Sequence, residues 1–268
     1  MISSEQQAEL RAKYNPDGSN LRRMQLHILE MLKYIDKVCR ENNIKYWLSA
    51  GSCLGAVRHG GFIPWDDDVD IEMERKDYIK FYKILNSEQN DRYILHSYFN
   101  DKEYLYPFDK LRDKNSYVKE SYFIDDWIKF HGCFIDIFTI EPSNSKYMHI
   151  LSSKIWWHTL TVFAKIKNES LRRKFIFVGH LLNRRILYPL FAMLSKFNSN
   201  GVFRHSYGSP FPKPRFVKDF KETTLAKFED GEFPIPKGYD HYLKSIYGDY
   251  TKIPSNIESN SHFEKIIL

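Results

Sequence analysis

Residues 51–74, GSCLGAVRHGGFIPWDDDVDIEME, place aspartates at 66, 67, 68 and 70. If residues 69–73 form a strand, Asp68 and Asp70 face one side of it and Val69 and Ile71 the other. Carboxylates about 7 Å apart on one strand face repel each other. A bound cation reverses that cost, and Mg²⁺ takes carboxylate together with phosphate oxygens. A solvated acidic turn is the other reading, and Phe62 and Trp65 beside the run speak against it. Asp136 is a second anomaly, because it interrupts Phe134, Ile135, Ile137 and Phe138, which read as a strand buried on both faces. An unpaired carboxylate there is very costly. Asp136 must therefore share a metal with Asp68 and Asp70, or meet a buried Lys or Arg. Gly51-Ser52 lies between a strand and a helix, where small residues admit phosphate to the N–H groups of the helix N-terminus.

The elements that would position these groups follow from periodicity. Leu21, Met24, Ile28, Leu32, Ile35 and Val38 recur at helical spacing, with Asn20 as N-cap and Asn42-Asn43 as the stop. Residues 44–50 (IKYWLSA) read as a strand, followed by a short helix that stops at Gly60-Gly61. Residues 77–85 read as a helix. Residues 93–98, 104–111, 117–122 and 134–140 read as strands. Beyond them, 146–167 and 171–197 read as apolar, basic helices. Then comes a Pro- and Gly-punctuated segment over 210–268, with a short helix near 239–247.

The charge is divided in the same way. The whole chain of 268 residues carries +6. Residues 146–218 hold fourteen Lys and Arg against one acid, Glu169, a surplus of thirteen that leaves −7 elsewhere. Neither basic helix offers about 18 uninterrupted apolar residues, so a transmembrane span is not expected. Trp156, Trp157, Phe175 and Phe177 among those cations suit a membrane interface, and an ordinary helical subdomain suits them equally. No nucleic acid is expected, because the charge rides on strongly apolar helices. Hydrophobic residues at 43% and charged residues at 28% mark a globular chain. The three cysteines, Cys39, Cys53 and Cys133, lack CxxC spacing and argue against disulfides and structural zinc. The opening MISSEQQAELRAKY has no apolar core, so no signal peptide is expected and a cytoplasmic location follows.

The order Gly-Ser, Asp-x-Asp and a distant strand aspartate resembles the nucleotidyltransferase (polymerase β-like) superfamily, whose short sheet carries three carboxylates for two-metal phosphoryl chemistry. More narrowly, LSAGSCLGAVRHGGFIPWDDDVDIEMERKDYIKF is similar to the signature of the LicD family. FDKLRDK (108–114), GCFIDIF (132–138) and FPIPKGYDHYLKSIYGDY (233–250) match its later blocks. The resemblance covers most of the chain outside the basic helices. It implies an α+β fold with a mixed sheet: a nucleotidyltransferase-like core over 1–142, an inserted basic helical region over 143–209, and a segment over 210–268 that packs back on the core.

The resemblance also implies roles. Asp68 and Asp70 would ligate Mg²⁺ (or Mn²⁺), with Asp66 completing an Asp-x-Asp-x-Asp set and Asp136 as third core carboxylate. One of them would accept the acceptor's proton. Gly51 and Ser52 would meet phosphate. Lys110 and Arg112 match the family's basic pair and suit a diphosphate, or lie on a solvated strand face. Arg58 could reach phosphate or fix its loop. Trp65, with Tyr98, Tyr104 and Tyr106, offers an aromatic face for a quaternary ammonium. His262 matches a C-terminal family histidine. Family members transfer phosphocholine from CDP-choline to sugars of teichoic acid or lipopolysaccharide precursors, and the related fukutin group transfers ribitol phosphate from CDP-ribitol. The expected partners are therefore a CDP-linked donor, a lipid-linked glycan acceptor and the inner face of an anionic membrane. The rival readings are a nucleotidyltransferase that releases pyrophosphate, and a catalytically silent membrane or nucleic-acid binding protein. Two departures stand out: 253–261 lacks the family's Pro-Pro-basic pattern, and the fukutin-related zinc cysteines are missing.

Overall fold

The structure is a computed structural model that describes all residues except 1, 88, 89, 122, 198, 255, 256 and 258–262, with backbone only for 123, 263 and 264. It opens with a helix the sequence reading passed over, α1 (Ser4–Tyr14). The Ser3 hydroxyl accepts from Gln6 N, and Ser3 N donates back to the Gln6 side chain. The next helix, α2 (Asn20–Glu41), is capped by Ser19 rather than Asn20. The Ser19 hydroxyl accepts from Arg22 N at 3.1 Å, which makes Asn20 the first helical residue. Its buried stripe of Met24, Ile28, Leu32, Ile35 and Val38 forms one wall of the main core.

Strands β1 (Trp47–Leu48), β2 (Asp70–Glu74), β3 (Tyr93–His96) and β4 (Asp109–Asp113) belong to the principal sheet. A further strand, β5 (Tyr117–Glu120), stands apart from it, and β6 (Phe134–Pro142) forms its centre. The order is β1-β2-β6-β4-β3, with β7 (Val202–His205) on β6 and β8 (Arg215–Phe216) on β7. The β2–β6 pairing is parallel and the others antiparallel, so the sheet is mixed. Between β1 and β2 runs α3 (Ala50–Leu54), which continues as a π-helical turn over Gly55–His59 and ends at Gly60 with φ +66°. Helix α4 (Arg75–Ser87) packs on β2 and β6.

Several expected strands are shorter or displaced. Only Trp47 and Leu48 of 44–50 pair. The expected strand over 104–111 begins at Asp109. Tyr104, Leu105 and Tyr106 instead bury their side chains in a second cluster with Leu160 and Ile176, and that packing outweighs their strand propensity. The helical region consists of α5 (Lys146–Phe163), α6 (Glu169–Leu182), a π-helical turn over Asn183–Leu187, and α7 (Tyr188–Lys196). The chain then returns to the sheet as β7 and β8. After α8 (Val217–Phe220), a hairpin forms from β9 (Thr223–Phe228) and β10 (Gly231–Pro236). Pro234 and Pro236 hid it from sequence reading. Proline is tolerated there because each strand of a two-stranded sheet is an edge. Helix α9 (Tyr239–Tyr247) follows, and β11 (Phe263–Ile267) pairs with β5 in a second small sheet.

Candidate active site

Strand alternation separates two faces of the sheet. Val69, Ile71, Met73, Ile135 and Ile137 enter the core. The opposite face carries Asp70, Glu72 and Asp136, with Lys110 beside them. Parallel pairing sets Asp70 directly beside Asp136, and antiparallel pairing sets Lys110 on Asp136's other side. Asp68 closes the group: Asp68, Asp70 and Asp136 each offer a carboxylate oxygen, all within 4.8 Å of one another. Asp66 falls outside this triad and instead groups with Asp67 and Asp68, so Asp68 is common to both sets.

The electrostatics match a cation site. Burial, then the negative charges of Asp68, Asp136 and Asp66, pushes the Asp70 carboxyl well above the usual carboxylate range. Burial also raises that of Asp136, and Lys110 pulls it back. Lys110 Nζ lies 2.9 Å from Asp136 Oδ1, at an angle that leaves this buried oxygen without a hydrogen bond. Three converging carboxylates with one such oxygen fit a hard divalent cation such as Mg²⁺, which prefers an all-oxygen set. Asp136 thus lies with Asp68 and Asp70, the placement that a shared metal would need, and it also meets a buried lysine.

The strand–helix turn is fixed tightly beside this group. Ser52 Oγ accepts from Asp70 N at 2.8 Å, and Ser49 N donates to Asp70 O at 2.9 Å. Ala50 takes φ +40°, and its N–H donates to the Tyr242 hydroxyl at 3.2 Å. At Gly51 a Cβ would come within 3.1 Å of Asp66 Oδ2, so a larger residue would crowd the acidic cluster. Gln25 holds the approach to the aspartates, donating to Ile63 O and Asp66 O. The hairpin residue Glu229 accepts from Phe62 N and pairs with Arg22.

Three expected phosphate ligands are committed elsewhere. Arg112 is fully buried rather than on a solvated face. Its guanidinium donates to Glu120 Oε1 at 2.7 Å, Gly132 O at 3.0 Å and His96 Nδ1 at 3.1 Å. A diphosphate contact from Arg112 is therefore a misreading. Lys110 is likewise buried, bridging Asp136 and Glu120. Arg58 fixes its loop: it donates to Tyr250 O and Lys252 O, both at 2.9 Å, and to His59 Nε2. Trp65 is half-buried, edge-on to Tyr14 and His59. Tyr104 and Tyr106 are buried, and His262 lies outside the described residues.

Sequence reading passed over three supports. Glu72 continues the Asp68–Asp70 alternation and was detectable by that period of two. Fully buried, it accepts from Arg215 Nε at 2.6 Å, Trp47 Nε1 at 2.9 Å and the Tyr242 hydroxyl at 3.1 Å, and bonds His205 at 2.7 Å. Glu120, the counter-ion of Lys110 and Arg112, comes from β5, whose place no local pattern gives. Tyr247 sits at the acidic cluster. A Cβ on Gly51 would lie 4.0 Å from its hydroxyl, and burial, then Asp70, Asp66 and Asp68, raises its phenol.

The chain is thus α+β with a mixed sheet that brings Asp68, Asp70 and Asp136 together where β2 and β6 pair. Residues 43–178 match the sequence profile described as LicD/FKTN/FKRP, nucleotidyltransferase domain, and the chain belongs to that family. It is similar to the lipopolysaccharide cholinephosphotransferase LicD of Haemophilus influenzae, 28% identical over 259 residues that cover 90% of this chain and 95% of that protein. Human ribitol 5-phosphate transferase FKRP is 46% identical over 48 residues, covering 18% of this chain and 10% of that protein. Mouse ribitol-5-phosphate transferase FKTN is 39% identical over 49 residues, 18% of this chain and 11% of that protein. The short matches correspond to a tenth of those larger proteins, whereas the bacterial likeness runs nearly end to end.

Proposed function

We propose that the chain transfers phosphocholine, or a similar phospho-alcohol, from a CDP-linked donor to a sugar hydroxyl of a teichoic acid or lipopolysaccharide precursor, releasing CMP. The observation that carries this reading is the convergence of Asp68, Asp70 and Asp136 within 4.8 Å, in a chain similar along nearly its whole length to a cholinephosphotransferase. The core is read as a nucleotidyltransferase fold.

In the reaction, the acceptor oxygen forms a bond to the phosphorus bearing choline. The bond from that phosphorus to the CMP oxygen breaks, and CMP leaves with the electron pair. Asp68, Asp70 and Asp136 would hold Mg²⁺ (or Mn²⁺), which when bound neutralises charge on the transferred phosphoryl and the leaving group. An aspartate of the set accepts the acceptor's proton. Lys110 holds Asp136 in place and balances part of the charge. Gly51 and Ser52 leave backbone room for phosphate, and Trp65 supplies the aromatic face for the ammonium. The chain works at the inner face of the cell membrane in this reading.

Incubation with CDP-choline, CDP-ribitol, UDP-sugars and NTPs, with glycan acceptors and Mg²⁺, tests it. CMP release from a CDP-linked donor, abolished in Asp70→Asn, is expected. Pyrophosphate release from an NTP instead would establish the nucleotidyltransferase alternative. Full turnover in EDTA would remove the metal from the scheme.

A further inference from the structure

A cavity of about 710 Å³ lies between α4, the outer end of the sheet and the helical region, within the range of ligand pockets. None of the four candidate metal-site aspartates lines it. Its walls combine aromatic rings, among them Tyr82, Tyr98 and Trp156, with Arg75, Lys83, Arg184 and Arg185. Two carboxylates oppose these four cations, and both have partners: Asp109 accepts from the Tyr78 hydroxyl, and Glu141 pairs with Arg75 at 3.3 Å. Arg184 lies 4.9 Å from the Tyr98 ring centroid. Among the described residues, Lys83 and Arg185 have no ion-pair partner, and both are exposed. Arg184 and Arg185 come from the π-helical turn over Asn183–Leu187, a distortion often found at functional sites. The cavity therefore carries surplus positive charge within reach of aromatic and apolar walls.

Beside it runs an uncovered apolar stripe. Leu182, Ile186, Leu190 and Met193 recur at helical spacing, and Ile186 is 62% and Met193 54% exposed. Arg185, Tyr188, Pro189 and Ala192 turn from the same helical run into the cavity. A soluble phosphate compound would satisfy the cations and leave the stripe in water. An apolar protein segment would cover the stripe and leave Lys83 and Arg185 without an anion. An amphiphile with a phosphate head answers both.

We propose that this cavity binds the phosphate-bearing head of a lipid, whose chain lies along the stripe of Leu182, Ile186, Leu190 and Met193. The inference does not rest on the transfer reaction, since none of the metal-site aspartates lines the cavity. Arg forks and a Lys point charge meet the phosphate oxygens, and the aromatic walls meet the first carbons of the chain.

Calorimetric titration of the full chain in EDTA tests it, with farnesyl diphosphate, inorganic diphosphate, farnesol and dihexanoylphosphatidylglycerol as probes. At least one phosphate-headed amphiphile should bind tenfold or more tightly than inorganic diphosphate and than farnesol. The double variant Lys83→Gln/Arg185→Gln should weaken it at least tenfold, and Asp70→Asn should leave it unchanged. Preference for farnesyl diphosphate identifies a single-chain diphosphate as the ligand, and equal binding of dihexanoylphosphatidylglycerol identifies membrane phospholipid. Both outcomes support the site. Inorganic diphosphate binding as tightly as the amphiphiles, no amphiphile binding, an unchanged double variant, or loss of binding in Asp70→Asn would overturn it.

Discussion

Asp136 is where catalysis and stability can be separated by one atom. Replacing it by Asn keeps its shape and removes one ligand charge, so turnover should fall by orders of magnitude. Its effect on stability turns on Lys110. Breaking a buried pair and stranding a cation costs about 3–5 kcal/mol. Here Lys110 Nζ retains Glu120 Oε2 at 3.2 Å, and the removed charge also repelled Asp70. Metal-free Asp136→Asn should therefore lose no more than about 1–2 kcal/mol, the scale of one hydrogen bond. Denaturant melts in EDTA beside turnover in Mg²⁺ check this. A loss above about 3 kcal/mol with turnover intact would make Asp136 a structural partner only. At this scale the sequence was informative wherever a residue broke a pattern: Asp68 and Asp70 by alternation, Asp136 by interrupting an apolar run. It misled at Arg112 and left Arg58 open between phosphate and its own loop, because a residue's type reveals its charge but not which distant group will answer it. Arg112 finds Glu120 through strand placement, and Arg58 finds carbonyls of Tyr250 and Lys252 nearly two hundred residues away.

Strand β5 reaches the site through Glu120, which neutralises Lys110 and Arg112 together. Glu120→Gln leaves two buried cations short of charge, so a loss of about 3–5 kcal/mol is expected. The pH dependence carries the same signature. Burial pushes the Glu120 carboxyl up, but Lys110 and Arg112 more than reverse this and hold it at about 2, below the ordinary 4.5. A carboxylate depressed in the folded state stabilises fully above its unfolded pKa, and that contribution drains away as pH falls through the folded one. Melting temperatures measured from pH 6 down to pH 2 should thus drop between about 4.5 and 2 in the natural chain, and less so in Glu120→Gln. Equal slopes in both would refute the pairing. Gly132 meets the same layer from the other side: its carbonyl accepts from Arg112, and a Cβ there would sit 1.8 Å from the Asp113 carbonyl oxygen. That neighbour is backbone and cannot swing aside, so Gly132→Ala should cost upward of about 1–3 kcal/mol. A melting temperature within a degree of the natural chain's would contradict it. Elements with strong periodicity, α2, β2, β6 and the basic helices, were legible in the sequence. The β9–β10 hairpin and the β5–β11 pairing were not: prolines masked the first, and the second joins segments more than 140 residues apart.

Across the whole molecule, charge and exposed apolar surface coincide on the helical region, and together they bear on the membrane reading. Among the described residues no helix is long and apolar enough to cross a bilayer. Not all of the basic surplus is available. Arg215 is buried against Glu72, Arg204 is buried, and Arg173 pairs with Glu103 and Glu169. Lys154, Lys165, Lys174 and Lys196 have no ion-pair partner among the described residues. Alongside them Leu171, Phe175 and Val178 of α6, and Trp157 of α5, stand about half exposed. Each cation near an anionic surface is worth about 1 kcal/mol, so four suffice for measurable, reversible docking once apolar side chains enter the interface. The attraction is screened: the Debye length falls from about 10 Å at 0.1 M salt to about 3 Å at 1 M. In flotation, the chain should rise with vesicles containing phosphatidylglycerol at low salt, rise weakly with neutral vesicles, and stay at the bottom of the gradient at 1 M salt. Replacing Lys154, Lys165, Lys174 and Lys196 together by Gln should abolish the difference between vesicle types without changing the melting temperature, because none of the four holds a structural partner. Equal failure to float with either vesicle at low salt would return these helices to an ordinary subdomain, whose cations serve only to keep an apolar surface in solution.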